Sequence, residues 1–158
     1  MLDTALTALE ASALGAGLRE SQYAYPLVNA AHILALAALF GSILALDLRL
    51  LGVWRSIPVA PLAKVLPRVA AGGLALAIPT GFALFSVQPF DYLIHPVFPF
   101  KLALIAFAAG NALLLHRTLG WHALLRGATI VQPRVRAAAV LSLLGWTGAI
   151  LAGRLLAF

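Results

Sequence analysis

A histidine stands in the middle of a long apolar stretch of this sequence. His32 lies within NAAHILALAALFGSILALDLRL, where most other side chains are hydrocarbon. A neutral imidazole offers a nitrogen lone pair to a metal ion and an N–H to a hydrogen-bond acceptor. Asn29 and Tyr25 precede His32 by three and seven residues, a spacing that places all three on one helical face. We predict a polar stripe in which His32 binds a metal or a cofactor and its two neighbours orient the ring. The simpler alternative is a histidine that hydrogen-bonds to a neighbouring helix.

Two basic side chains and a second histidine border the other apolar stretches. Lys101 lies within HPVFPFKLALIAF, His95 precedes it by six residues, and Arg154 is near the end of the last apolar stretch. Lys101 either extends its amine to the membrane surface or, as a free amine, ligates iron. His95 is a further candidate ligand. Arg154 either anchors a helix at the interface or neutralises an acidic group such as a haem propionate.

The composition is that of a membrane protein. Of the 158 residues, 63% are hydrophobic and 10% are charged, and the mean hydropathy is +1.00. A soluble domain has about a quarter of its residues charged, so this chain has too little polar surface to be soluble. We expect one membrane domain over residues 1–158. The absence of cysteine excludes disulfides and thiolate-ligated metals.

Four segments are long enough to cross the hydrocarbon core, which needs about 20 predominantly apolar residues. They cover approximately residues 25–46, 62–87, 97–115 and 137–156. Residues 1–22 have apolar side chains near one face at helical spacing, which indicates a short amphipathic helix at the interface; these are Leu2, Leu6, Leu9, Ala13 and Leu18. The expected fold is all-α, a four-transmembrane-helix bundle preceded by this interfacial helix.

The basic residues predict the orientation of the bundle. Eight of the eleven lysines and arginines follow the first and third spans, and most of the acidic residues lie towards the other side. Because cytoplasmic loops of membrane proteins are enriched in basic residues, both termini should be outside a bacterial inner membrane. We therefore interpret the net charge of +6 as a topology signal and expect contact with lipid, not with nucleic acid.

Small residues and one proline predict how the spans pack. Residues 37, 41 and 45 of the first span and 145, 149 and 153 of the fourth are small and four apart, which favours close helix contact. Pro79 should kink the second span, and Thr80 could hydrogen-bond to a carbonyl that the proline leaves free. Gly72, Gly73 and Gly81 would make room for a flat ligand or for another helix.

The basic side of the bundle carries fewer candidates for chemistry. Asp47 and Arg49, within DLRLLG, are predicted to form an ion pair at the end of the first span. His116 and His122 are expected to be interfacial side chains.

The first and third spans resemble a superfamily of small bacterial membrane proteins. YPLVNAAHILALAALFGSILALDLRLLG and VFPFKLALIAFAAGNALLLHR share with it a histidine in the first span and a lysine that opens a later span ending with Asn or His. The matching positions are His32, Lys101, Asn111 and His116. The superfamily includes CopD-type copper-resistance proteins and HemJ-type protoporphyrinogen oxidases, and the chain is most similar to an uncharacterised branch with a DLRLLG motif. HemJ-type proteins bind haem b, so the resemblance implies that His32 and Lys101 hold haem here.

The leading hypothesis is a haem b-binding protein that transfers electrons near the outer face of the membrane. Its partner would be a quinone or a periplasmic redox protein, and the chain could form a homo-oligomer. A metal-ion transporter is the first alternative, although a chain whose only methionine is Met1 lacks the soft ligands that suit Cu(I). A cofactor-free membrane subunit of a periplasmic enzyme is the second.

Overall fold

Helices make up almost all of the structure. A computed structural model describes residues 2–156, and within that range there is no β-strand. The helices are α1 (Leu2–Glu10), α2 (Ala13–Glu20), α3 (Ala24–Leu51), α4 (Val59–Phe85), α5 (Pro89–Ile94), α6 (Val97–His116), α7 (Leu119–Leu125) and α8 (Pro133–Leu155). Four of them, α3, α4, α6 and α8, are long and apolar enough to cross a membrane. The predicted all-α fold and its four spans are confirmed.

The predicted helix over residues 1–22 is present as two short helices. Ser12 ends the first and caps the second, because its side chain accepts a hydrogen bond from the backbone N–H of Gly15. Serine at this position starts a new helix by satisfying one of its free N–H groups. Leu6 and Leu18 of the predicted apolar face are buried, whereas Ala13 is exposed.

The four long helices form a bundle with three closely packed sides. α3 packs along α4, α6 packs along α8, and the two pairs meet where α3 packs along α8. Within the described residues α4 and α6 scarcely touch each other, and this fourth side is called the α4/α6 gap below. The end of the bundle where α3 begins and α8 ends is called the terminal end. The opposite end, where α7 packs against α4, is called the basic end.

Glycines explain why the helices pack so closely on two sides of the bundle. A Cβ atom added to Gly73 would lie 2.6 Å from the backbone nitrogen of Leu39, so α3 and α4 are in backbone contact there. A Cβ atom on Gly145 would lie 3.0 Å from the Cβ of Ala108, which shows the same closeness between α8 and α6. The predicted small-residue contact face of the fourth span is confirmed. Gly73 serves helix packing, which was one of its two predicted roles.

The predicted small-residue contact face of the first span is wrong. Gly41 has open space around it, and Ala37 is exposed. α3 instead turns a different stripe inward, with Ala35, Leu39 and Leu46 buried. At Ala35 and Leu39 the α3 backbone lies against Gly73 of α4, so α3 needs no glycine of its own at that contact.

The basic end is held by an arginine that bonds to the backbone. The Arg49 guanidinium donates from Nε to the carbonyl of Ile57 at 2.6 Å and from Nη2 to the carbonyl of Arg55 at 3.2 Å. The predicted ion pair between Asp47 and Arg49 is therefore wrong, and the ion pair found within residues 2–156 joins Arg19 to Glu10 at 2.8 Å. Side chains two residues apart on a helix do not face each other.

We predict that Gly73→Ala destabilises the bundle and that Gly72→Ala, its neighbour, does not. The added methyl of the first variant meets the backbone of α3, and overpacking of this kind costs about 1–3 kcal/mol. A Cβ atom on Gly72 meets nothing within 4 Å. Thermal unfolding of both variants in the same detergent measures the difference. Equal unfolding temperatures would contradict the close α3/α4 contact.

Candidate functional site

The ring of His32 is bonded to a threonine of the neighbouring helix. Its Nδ1 atom lies 2.9 Å from the hydroxyl oxygen of Thr80. The same hydroxyl donates to the backbone carbonyl of Leu76 at 2.7 Å. A threonine hydroxyl has one hydrogen, and a carbonyl oxygen has none to give. If both contacts are hydrogen bonds, the hydrogen on the Thr80 oxygen points to a backbone carbonyl and the hydrogen in the other bond belongs to His32 Nδ1.

This arrangement assigns the form of the imidazole. A neutral histidine that carries its hydrogen on Nδ1 has an unshared lone pair on Nε2. Metal-binding histidines usually donate their other ring N–H to a protein acceptor, which fixes both the tautomer and the ring orientation. The chain from His32 through Thr80 to Leu76 is such an arrangement. It leaves Nε2 able to bind a metal ion.

A glycine one residue after Thr80 allows the ring to lie where it does. A Cβ atom added to Gly81 would be 3.1 Å from His32 Cε1 and 3.7 Å from Nδ1. The imidazole therefore rests on the α4 backbone and is half-buried. Gly81 provides the room for the ring, and Thr80 provides its acceptor.

The neighbours predicted to orient His32 are not the ones that bond its Nδ1. The sequence stripe placed Tyr25 and Asn29 on the same face of α3, and the structure bonds the ring to Thr80 of α4 instead. Asn29 is half-buried one turn away, and Tyr25 is exposed at the start of the helix. The hydroxyl of Thr80 bonds to a carbonyl of the preceding turn, but the prediction that this is the carbonyl left free by Pro79 is wrong. That carbonyl belongs to Leu76, whereas Pro79 deprives the carbonyl of residue 75 of its amide donor.

Lys101 faces the same part of the bundle from α6. Its Cε and Nζ atoms would lie 3.5 Å and 3.6 Å from a Cβ atom on Gly153, so the side chain runs along α8 and is half-buried. It is close enough for its charge to act on His32. The sequence placed the two side chains at one depth, and the structure places both in the terminal half of the bundle, His32 against Gly81 and Lys101 against Gly153.

His95 has a structural task in this arrangement. Its Nδ1 atom accepts a hydrogen bond from the backbone N–H of Val97 at 3.3 Å, at the start of α6. A neutral histidine whose Nδ1 accepts a hydrogen bond carries its hydrogen on Nε2, so neither nitrogen offers an unshared lone pair. The bonding of His95 is the reverse of the bonding of His32. Of the two, His32 is the side chain prepared to bind a metal.

An aromatic cluster closes the α4/α6 gap at the terminal end. The rings of Phe85 and Phe98 stack with centroids 5.5 Å apart, and Tyr92 of α5 lies 5.8 Å and 6.0 Å from them. Burial raises the pKa of the Tyr92 hydroxyl, with smaller contributions from Tyr25 and Asp91, so the hydroxyl keeps its proton at neutral pH. Along the helices, Lys101 follows Phe98 by three residues on α6, and Thr80, the partner of His32, precedes Phe85 by five residues on α4. Composition alone gave no signal for the cluster, since each ring comes from a different helix.

Arg154 lies exposed at the terminal end of α8. It is the residue after Gly153, which Lys101 contacts. Arg154 and Lys101 therefore both lie near the terminal end of the bundle. This position is compatible with its predicted role beside an acidic group.

The basic half of the bundle contains a cavity of about 280 Å³. Asp47, His116 and Trp146 line it, and the His116 ring meets Trp121 edge-on with centroids 4.6 Å apart. His116 is thus half-buried against an aromatic ring, and its interfacial position stays a prediction. Asn111, which the family resemblance singles out, donates to the carbonyl of Ala138 at 2.9 Å and joins α6 to α8.

The comparisons with known proteins add no relative. Scans of protein-family models, curated proteins and solved structures found no match for this chain. Among residues 2–156 no three histidine, cysteine, aspartate or glutamate side chains come together as a metal-binding group. The function must therefore be argued from the pair formed by His32 and Lys101.

We predict that Thr80→Val changes the tautomer of His32 and that Thr80→Ser preserves it. Valine has the shape of threonine but no acceptor, so Nδ1 loses its hydrogen-bond partner. A hydrogen bond worth about 1 kcal/mol corresponds to about a fivefold change in the ratio of the two tautomers. Nitrogen NMR of histidine-labelled protein measures that ratio directly. An unchanged ratio in the valine variant would contradict the proposed direction of the bond.

Proposed function

We propose that this chain is a haem b-binding membrane protein that transfers electrons in the terminal half of the bundle. The observation that carries the proposal is the hydrogen-bond chain from His32 through Thr80 to the carbonyl of Leu76. It leaves the Nε2 lone pair of His32 unshared inside a membrane-spanning helix. Ionisable side chains at such positions are costly and usually functional.

The donor set fits haem better than a bare metal ion. A structural zinc ion takes four ligands, and a catalytic one takes three from the protein. Haem iron takes four nitrogens from its macrocycle and needs one or two axial ligands from the protein. His32 and Lys101 are a pair of this kind, held on α3 and α6. Lys101 would act as the second ligand in its uncharged form, or would remain a nearby positive charge.

The surroundings of the pair also suit a flat ligand. The His32 ring of α3 rests on α4, and Lys101 belongs to α6, so the pair lies beside the α4/α6 gap, which is the loosely packed side of the bundle. When bound, haem supplies an iron centre that gains and loses one electron reversibly. His32 would donate its lone pair, Thr80 would hold the ring, and Arg154 would neutralise a propionate. The aromatic cluster of Phe85, Tyr92 and Phe98 would limit access of water from the terminal end.

The charge distribution supports a bacterial inner membrane with both termini outside. Eight of the eleven basic residues belong to the loops and helix ends of the basic end, which would face the cytoplasm. The haem would then lie nearer the outer face. A quinone in the bilayer or a periplasmic redox protein would exchange electrons with it.

The test of the haem proposal is the visible absorption spectrum of the purified protein, oxidised and dithionite-reduced. The chain should show a Soret band and sharp bands after reduction, and His32→Ala should lose them. Thr80→Val should keep the bands but bind haem about 10- to 100-fold more weakly, the usual effect of removing the partner of a metal-bound histidine. Titration of haem into the apoprotein measures that affinity.

His122→Ala is the matched control, since His122 is exposed and bonds to the backbone carbonyl of Thr118. Its spectrum should equal that of the wild type.

A colourless wild-type protein, produced with ample haem, would reject the proposal. Bound metal without these bands would favour the transporter. A protein with neither bound metal nor these bands would favour the cofactor-free subunit. Lys101→Ala should alter the spectrum if the amine binds iron, and an unchanged spectrum would leave Lys101 as a nearby positive charge.

The orientation has a separate test. A reporter enzyme that is active outside the cytoplasm, fused after residue 158, should be active in bacteria. The same reporter inserted in the loop between α3 and α4 should be inactive, because the basic residues retain that loop in the cytoplasm. The opposite pattern would place the basic end outside.

A further inference from the structure

The cavity in the basic half contains two buried polar atoms whose hydrogen bonds are unmade. Asp47 and Trp146 are each 4% exposed. Neither Asp47 Oδ2 nor Trp146 Nε1 has a hydrogen-bond partner within residues 2–156. Leaving a buried donor or acceptor unpaired costs free energy, and here an unpaired acceptor and an unpaired donor line one cavity. Two unpaired polar atoms in the lining of one cavity indicate a ligand that forms a hydrogen bond with each of them.

Helix geometry indicates that the Asp47 and Trp146 side chains lean towards one level of the cavity. Asp47 of α3 and Ser142 of α8 line the same cavity and lie near enough to interact, so this part of α3 lies level with Ser142 of α8. Trp146 follows Ser142 by one helical turn. Helical side chains lean towards the N-terminus of their own helix, and α3 and α8 run in opposite directions. Asp47 therefore leans towards the terminal end and Trp146 leans towards the basic end, so that their polar atoms approach the same region.

The cavity opens sideways, through the α4/α6 gap. Its lining includes Ala71 of α4 and Leu113 of α6, both of which are exposed on the membrane-facing surface. A ligand would therefore enter from the hydrocarbon phase. The volume of about 280 Å³ compares with about 150 Å³ for an engineered cavity that holds one benzene ring. The space suits one substituted ring, with an apolar tail extending into the lipid.

We propose that this cavity binds the ring of a lipid-soluble quinol. One ring hydroxyl can satisfy both unpaired atoms, because its oxygen accepts from Trp146 Nε1–H while its hydrogen is donated to Asp47 Oδ2. Indole nitrogen is a donor only and a carboxylate is an acceptor only, so a group that both donates and accepts is required. A hydrocarbon ring offers neither function. The choice of a quinol among ring alcohols rests on the proposed electron-transfer function, whereas the site itself does not.

The experiment is calorimetric titration of the detergent-purified protein with decylubiquinol kept reduced. Trp146→Phe removes the donor and Asp47→Leu removes the acceptor, and each should weaken binding at least about fivefold, the effect of one lost hydrogen bond. The matched controls are Trp54→Phe, in the exposed loop after α3, and Asp91→Leu, at the start of α5. Both controls should bind as the wild type does. The derivative of decylubiquinol in which both ring hydroxyls are methylated should bind more weakly than decylubiquinol itself.

A further variant tests the entrance without altering the buried residues. Ala71→Trp places a large side chain at the mouth of the cavity, so it should weaken binding while the unfolding temperature stays close to that of the wild type. The titration is repeated in His32→Ala, so that quinol binding is measured whether or not the protein carries haem. If His32→Ala binds the quinol and the wild type contains no haem, the quinol site is supported and the haem proposal is rejected. The two proposals can therefore fail separately.

Two results would overturn the quinol site. In the first, decylubiquinol binds Trp146→Phe and Asp47→Leu as tightly as the wild type, or its methylated form binds equally well, and the two polar atoms then play no part. In the second, decylubiquinol does not bind the wild type, and water alone satisfies the pair.

Discussion

Polar groups inside a membrane must find their partners within the protein, and the structure follows from this constraint. Water is not present in the hydrocarbon core to satisfy an imidazole, a carboxyl or an indole N–H. At the terminal half the constraint is met by a defined chain of bonds, from His32 to Thr80 and from Thr80 to the carbonyl of Leu76. At the basic half it is left unmet at Asp47 and Trp146. The same constraint thus gives a His32 ring held by hydrogen bonds in the terminal half and two unpaired polar side chains, Asp47 and Trp146, in the basic half.

The packing of the bundle determines where such groups can be reached. Gly73 and Gly145 allow α3 against α4 and α8 against α6 to approach until backbone and Cβ atoms touch, and those sides leave no room for a ligand. α6 is the least enclosed span, with 6% of its most apolar window buried against 39% for α3 and α8. The side between α4 and α6 is consequently the place where the interior meets the lipid. Both groups of polar side chains lie beside it.

The fold was largely predictable from the sequence, whereas the partners of the site residues were not. Span positions follow from the length of apolar segments, a local property that a single sequence records well. The bond between His32 and Thr80 joins residues 48 positions apart, and no local pattern reports which two helix faces meet. The same reason accounts for Gly41, whose spacing predicted a contact that α3 makes through Ala35 and Leu39 instead. Asp47 and Arg49 are neighbours in sequence, but two positions on a helix point apart, and Arg49 bonds to loop carbonyls.

The seam between α3 and α8 joins the two helix pairs along one line. Each pair is internally tight, so we expect the two pairs to move relative to each other by rotation about that line. Such a rotation would change the distance between α4 and α6 along much of the length of the two helices. A ring wedged in at the level of Trp146 would then spread the bundle at the level of His32 as well. Occupancy of one level would be communicated to the other mechanically, without any chain of bonds between them.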